Sequence, residues 1–89
     1  MQLPDEVVQD VRNRLHRVGG QVRALERMLD EGRECRDLVG QVSAATKALE
    51  QIGFRLVAAG LQYCAENPEE AEASGYPMEA MQRMFMKLA

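Results

Sequence analysis

The stretch VRNRLHRVGGQVRALERML, residues 11–29, decides how the rest of the chain is read. Val11, Leu15, Val18, Val22, Leu25 and Leu29 recur at spacings of 4, 3, 4, 3 and 4, which lays one continuous apolar seam along a helix. Pro4 fits a first-turn position and Gly32 a C-terminal stop, so the first helix is predicted over about residues 4–31. A second seam follows after a short turn. Leu38, Val42, Ala45, Leu49, Ile52, Leu56, Ala59 and Tyr63 repeat the same alternation and predict a helix over about residues 35–65, closed by Asn67-Pro68. The acidic stretch beyond reads as a linker ending in Ser74-Gly75-Tyr76-Pro77. A third helix over about residues 77–88 then carries Met78, Met81, Phe85 and Leu88 on one face.

Alternating spacings of 4 and 3 are the pattern of helices packed side by side at shallow angles. The fold class is therefore all-α, with a three-helix protomer. A chain of 89 residues allows one domain, 1–89, whose core is marginal if it stays monomeric. A hairpin of two long helices also leaves one side of each seam wet, and pairing two hairpins covers it. The expected unit is a homodimeric antiparallel four-helix bundle with the third helix on its outside or extending the assembly.

No apolar run approaches the ~20 residues that span a bilayer, and Met1-Gln2-Leu3-Pro4-Asp5-Glu6 lacks the features of a signal peptide, so no membrane role and a cytoplasmic location are expected. There is no Cys-x-x-Cys, no strand-rich scaffold and no acid–base partner beyond His16, so the chain is expected not to be an enzyme and to have no catalytic residues. The net charge of -3 hides a polarised distribution. Between Val11 and Arg27, Arg12, Arg14, Arg17, Arg23 and Arg27 stand against the single acid Glu26, whereas residues 66–79 carry five glutamates and no base. Only the basic stretch could follow a phosphate backbone.

Cys35 and Cys64 open and close the second helix. At about 1.5 Å per residue they stand roughly 43 Å apart, whereas disulfide-linked Cα atoms lie within about 7 Å. If that helix is continuous, the two thiols of one chain cannot meet. An antiparallel two-fold dimer that sets Cys35 of one chain beside Cys64 of the other must do so twice, which creates two intersubunit dithiol sites. A small buried hydrophobe is the plain alternative for each cysteine. Against it, Cys35 lies among Arg33, Glu34, Arg36 and Asp37 near a helix N-terminus, Cys64 follows the last seam residue, and both are expected at the ends of the interface. A metal is the other alternative. Soft thiolates suit Cu(I) or zinc, but the position one turn before Cys64 is Gly60, and two cysteines fall short of the three or four ligands zinc takes. Met78, Met81, Met84 and Met86 offer thioethers, although a methionine-rich amphipathic helix is more often adaptable packing.

Arg14, Arg17 and Gln21 fall on one side of the first helix, and Arg12, His16 and Arg23 line a neighbouring strip. A solvated face would look the same, but the Gly19-Gly20 pair, each costing up to about 1 kcal/mol in a helix interior, points to close backbone approach. The run Arg14-Leu15-His16-Arg17-Val18-Gly19-Gly20-Gln21-Val22-Arg23, with Glu31-Gly32-Arg33-Glu34-Cys35, Gln41-Val42-Ser43-Ala44 and the late Cys64, resembles the copper-sensitive operon repressor family with its CsoR, RcnR, FrmR and CstR branches. The likeness covers about residues 10–65. It implies a dimer of dimers, a disc-shaped tetramer that binds operator DNA through helix one and releases it when an effector fills the intersubunit site. It also implies a sensing role for Cys35 and DNA contacts by Arg14 and Arg17, supported by Gln21. Arg12 and Arg23 are added from the neighbouring strip.

The branch is read from departures. Copper-sensing members have a histidine where Gly60 stands. Nickel- and cobalt-sensing members use N-terminal and helix-two histidines, whereas this chain has Leu3, Gly60 and Cys64. Formaldehyde-sensing members pair the first cysteine with an N-terminal proline and lack the second. Two cysteines without histidine are similar to the persulfide-sensing branch. The expectation is a repressor with no cofactor, sensing reactive sulfur species through Cys35 and Cys64. The alternatives are a Cu(I) sensor of the same family, with the two cysteines as ligands, and a dithiol redox or sulfur-carrier protein.

Overall fold

The computed structural model describes residues 1–89 and is entirely helical outside short turns: α1 Asp5–Asp30, α2 Cys35–Glu66, α3 Pro68–Ala73 and α4 Met78–Leu88. There are four helices, not three. The extra one, α3, lies where a linker was expected. Asn67, at φ -137° and ψ 63°, does end α2, but Pro68 then occupies the first position of a new helix, where its missing N–H costs nothing. The Asn67 carbonyl accepts from the Ala71 amide at 2.9 Å, and Glu69 and Glu70 fall in the first turn, where the helix dipole favours acids.

Two glycines make the reversals. Gly32 adopts φ 70° after α1 and Gly75 φ 85° after α3, the left-handed conformation that closes a helix without a Cβ penalty. After α1 the Arg33 amide donates to the Met28 carbonyl at 3.0 Å and the Gly32 amide to Leu29 at 3.2 Å. After α3 the Tyr76 amide donates to Ala71 at 2.7 Å and the Gly75 amide to Glu72 at 3.2 Å, the same Schellman pairing. The first reversal folds α2 back along α1. The second folds α4 back along the C-terminal half of α2.

The protomer measures 55 × 25 × 14 Å. The α1/α2 hairpin is a single layer of two helices side by side, and only the C-terminal half of α2 is covered by further helices. Domains generally need two layers to enclose a core, and only 10 of 89 residues are buried here. The two seams explain how. In α1, Val11, Val18 and Leu25 are buried or half-buried while Leu15, Val22 and Leu29 are exposed; in α2, Leu38, Ala45, Ile52 and Ala59 are inside while Val42, Leu49 and Leu56 are outside. Each set repeats every seven residues. One heptad register faces the hairpin partner and the other is left 36–60% exposed.

Over the C-terminal half of α2 the second layer is supplied by the chain itself. Met81 and Leu88 of α4 sit over Gly60 and Gly53 of α2: a Cβ at Gly53 would lie 2.6 Å from a Leu88 methyl, and one at Gly60 would lie 2.9 Å from the Met81 sulfur. The Phe54 and Phe85 rings stack at 5.8 Å beside them. All five buried residues of α2, Ile52, Val57, Ala59, Gly60 and Cys64, belong to this half.

Candidate functional site

Cys64 is buried, 6% exposed, in a cluster with Val57, Ala71 and Met81, and Tyr63, Tyr76, Met84 and Leu88 pack around it. Its thiol donates to the Tyr76 carbonyl at 2.9 Å. The thiol thus fastens the Gly75-Tyr76-Pro77 reversal onto α2. It faces α3 and α4 of its own chain, which differs from the open interface end expected for it, because those helices cover the face of α2 that Cys64 shares with Gly60.

Cys35, by contrast, is the first residue of α2 and exposed. The charged groups beside it are paired with one another. Arg33 reaches Asp37 at 3.5 Å and Glu31 at 3.9 Å, and Arg36 reaches Glu34 at 3.3 Å. Since α2 is unbroken from Cys35 to Glu66, at about 1.5 Å rise per residue it holds the two cysteines of one chain ~43 Å apart. The protomer therefore does not bring these two sulfurs together.

Two soft side-chain donors stand at the Cys64 end, the Cys64 thiol and the Met81 thioether. Gly60 offers no side chain, the Met81 sulfur lies in the space above it, and no group of three His, Cys, Asp or Glu side chains converges anywhere in the protomer. Thiolate and thioether ligands of this kind fit Cu(I), and their number does not fit zinc.

Arg14, Arg17 and Gln21 line a cleft of about 200 Å³ together with Val18, Ala48 and Gln51 of α2. The three residues singled out on α1 are therefore neighbours in space. Arg14 is half-buried and held by Asp10 at 3.2 Å, an acid that also binds Arg55 of α2 at 3.3 Å. Arg17 is exposed and unpaired by any acid within 4.0 Å. The Gln41 amide of α2 donates to the Gln21 main-chain carbonyl at 3.0 Å, while the Gln21 side-chain oxygen is buried without a hydrogen-bond partner. A buried acceptor left unpaired costs about 1–3 kcal/mol, so this atom is suited to an incoming donor. Arg12 and Arg23 are exposed to the side of the cleft. The Arg23 guanidinium folds back over Gly19, 3.3 Å from where a Cβ would stand, so it is the chain's own arginine that uses the closeness the glycine pair allows. That contact, set by a residue four positions on, was not legible from the glycines alone.

Residues 8–88 match the family described as metal-sensitive transcriptional repressor. The chain is 41% identical over 64 residues to the copper-sensing transcriptional repressor RicR of Mycobacterium tuberculosis, a match covering 72% of this chain and 64% of that protein. It is 33% identical over 54 residues to the copper-sensing transcriptional repressor CsoR of Bacillus subtilis, covering 61% of this chain and 54% of that one. The matched segments thus span less than two thirds of either relative's length. No solved structure matches the chain.

Proposed function

The chain belongs to the metal-sensitive transcriptional repressor family, and from that premise we propose that it binds operator DNA through α1 and releases it when Cu(I) occupies a site shared between Cys64 of one subunit and Cys35 of another. The observation that carries the reading is that the buried Cys64 thiol shares one apolar cluster with the Met81 thioether, taken with two copper-sensing relatives. Two copies are required because unbroken α2 separates the cysteines of each chain. The uncovered registers of α1 and α2, led by Leu15, Val22, Val42 and Leu49, supply the apolar surface for an antiparallel homodimer, and two such dimers form the tetramer.

Arg17, exposed at the cleft, contacts phosphate directly, Arg14 does so once the duplex competes with Asp10, and Gln21 supplies a hydrogen bond. Arg12 and Arg23 extend the basic strip. Linking the C-terminal end of one α2 to the N-terminal end of another changes the angle between hairpins, and with it the spacing of the two basic clefts. DNA affinity falls because the linked state and the free state differ in their fit to the duplex.

A second reading, reactive sulfur species as effector, is favoured by Gly60, which provides no third ligand of the usual nitrogen type. The Cys35 thiolate attacks one sulfur of a disulfane, giving a Cys35 persulfide and releasing hydrosulfide. The partner's Cys64 thiolate then attacks the sulfur bound to Cys35, forming the interchain disulfide and releasing a second hydrosulfide. The disulfane is the oxidant and both cysteines are oxidised.

One experiment separates these readings from each other and from a dithiol carrier that ignores DNA. The reduced protein selects an operator from a random duplex pool, and anisotropy of the labelled operator follows binding at rising salt, then with Cu(I) under anaerobic conditions, then with polysulfide. The copper reading expects salt-dependent binding that one Cu(I) per subunit abolishes. Release by polysulfide alone moves the assignment to the second reading, and no salt-dependent binding ends both.

A further inference from the structure

We infer that the Met81 thioether is the third ligand of the Cu(I) site, completing a set with Cys64 of its own chain and Cys35 of another. The inference deepens the copper reading and rests on it. Of the four methionines in and beside α4, Met78 and Met86 are exposed and Met84 is half-buried; Met81 is 2% exposed, the largest fully buried side chain of the molecule. Its sulfur stands where a side chain of residue 60 would project, and residue 60 is one helical turn before Cys64 on the same face. Met81 and Cys64 share one buried cluster. Beside them opens a largely apolar cavity of about 310 Å³ whose walls include Gly60, Tyr76, Met81 and Met84. It offers room for an ion and an incoming Cys35 side chain, and its lining is mostly hydrophobic side chains.

The bond changes are simple. The Cys64 S–H gives up its proton to solvent and its hydrogen bond to the Tyr76 carbonyl, a sulfur–copper bond replaces it, and copper stays Cu(I) throughout. Met81 carries no proton and donates a lone pair. Packing would also explain a buried methionine, so the test must read coordination directly.

Full-length protein is loaded with one Cu(I) per subunit without oxygen and measured by X-ray absorption at the copper edge, and at the selenium edge after selenomethionine labelling. Three sulfur or selenium neighbours and a selenium–copper distance are expected in the unsubstituted protein, which needs no assumption about folding. Met81→Leu keeps an apolar side chain of similar volume. It should lose the selenium–copper signal, leave two ligands, and weaken Cu(I) binding roughly tenfold or more in competition with a chelator. Met81→His should restore three ligands with one nitrogen. Two-coordinate copper in the unsubstituted protein, or Met81→Leu with unchanged ligands and affinity, overturns the role of Met81 and spares the cysteine pair. Tight stoichiometric Cu(I) binding by Cys64→Ser overturns the copper reading itself.

Discussion

The two halves of α2 are one helix with the same apolar rhythm, and they end differently. The half beginning at Cys35 has no buried residue before Ile52, and Val39, Val42 and Leu49 stand open. The half ending at Cys64 is roofed by α3 and α4, which fill the grooves over Gly53 and Gly60. The rhythm therefore says that a helix has a face to bury, and the remainder of the chain decides whether that face is covered from within or left for another copy. The cysteines inherit the difference. One thiol meets solvent first, the other is held by a hydrogen bond beneath its own C-terminal helix.

The contrast breaks most readily at Met81. Met81→Ala leaves a cavity under α4 and should cost about 2–5 kcal/mol in urea unfolding followed by circular dichroism, against about 0.5 kcal/mol or less for Val39→Ala on the open half. Equal losses would place Val39 inside the interface between copies. Thiol labelling sharpens the same point: Cys35 of reduced protein should react roughly a hundredfold faster than Cys64, which waits for α4 to lift, as peptide mapping after timed quenching would show. Glycines give opposite signs. Gly60→Ala pushes a Cβ against the Met81 sulfur and methyl and should cost about 1–3 kcal/mol, whereas Gly40, with nothing within 4 Å of a new Cβ, should gain up to about 1 kcal/mol as alanine from helix propensity. A loss at Gly40 would place that glycine inside the contact with the second copy. The smallest effect belongs to Asp10→Asn. Removing the acid that joins Arg14 to Arg55 should cost only about 0.2–1 kcal/mol, while the freed Arg14 tightens operator binding measurably by anisotropy.

Much of this architecture was legible because Val11 to Leu29 and Leu38 to Tyr63 keep one period over many turns. What the period leaves open is direction. A 4, 3 seam contains two heptad registers, and nothing in Val18 against Val22 says which faces the hairpin partner. Helix α3 is not legible in the sequence because Asn67-Pro68 reads as a stop, and the same proline is a good start. The burial of Cys64 was not legible for a related reason: a residue one step past a seam is exposed unless a later segment folds over it, and Gly60, read as a missing ligand, is also the recess that lets Met81 approach. In the basic cleft, the clustering of Arg14, Arg17 and Gln21 followed from their spacing, but the Asp10 clamp on Arg14 depends on Arg55 from the other helix.

The chain has no tryptophan and two tyrosines, and both, Tyr63 and Tyr76, pack against the cluster that holds Cys64. Its tyrosine emission therefore originates wholly at that end of the molecule. Whatever displaces the Cys64 proton also disturbs the carbonyl of one fluorophore, so the unlabelled protein carries its own optical gauge of occupancy, free of background from the DNA-facing helix.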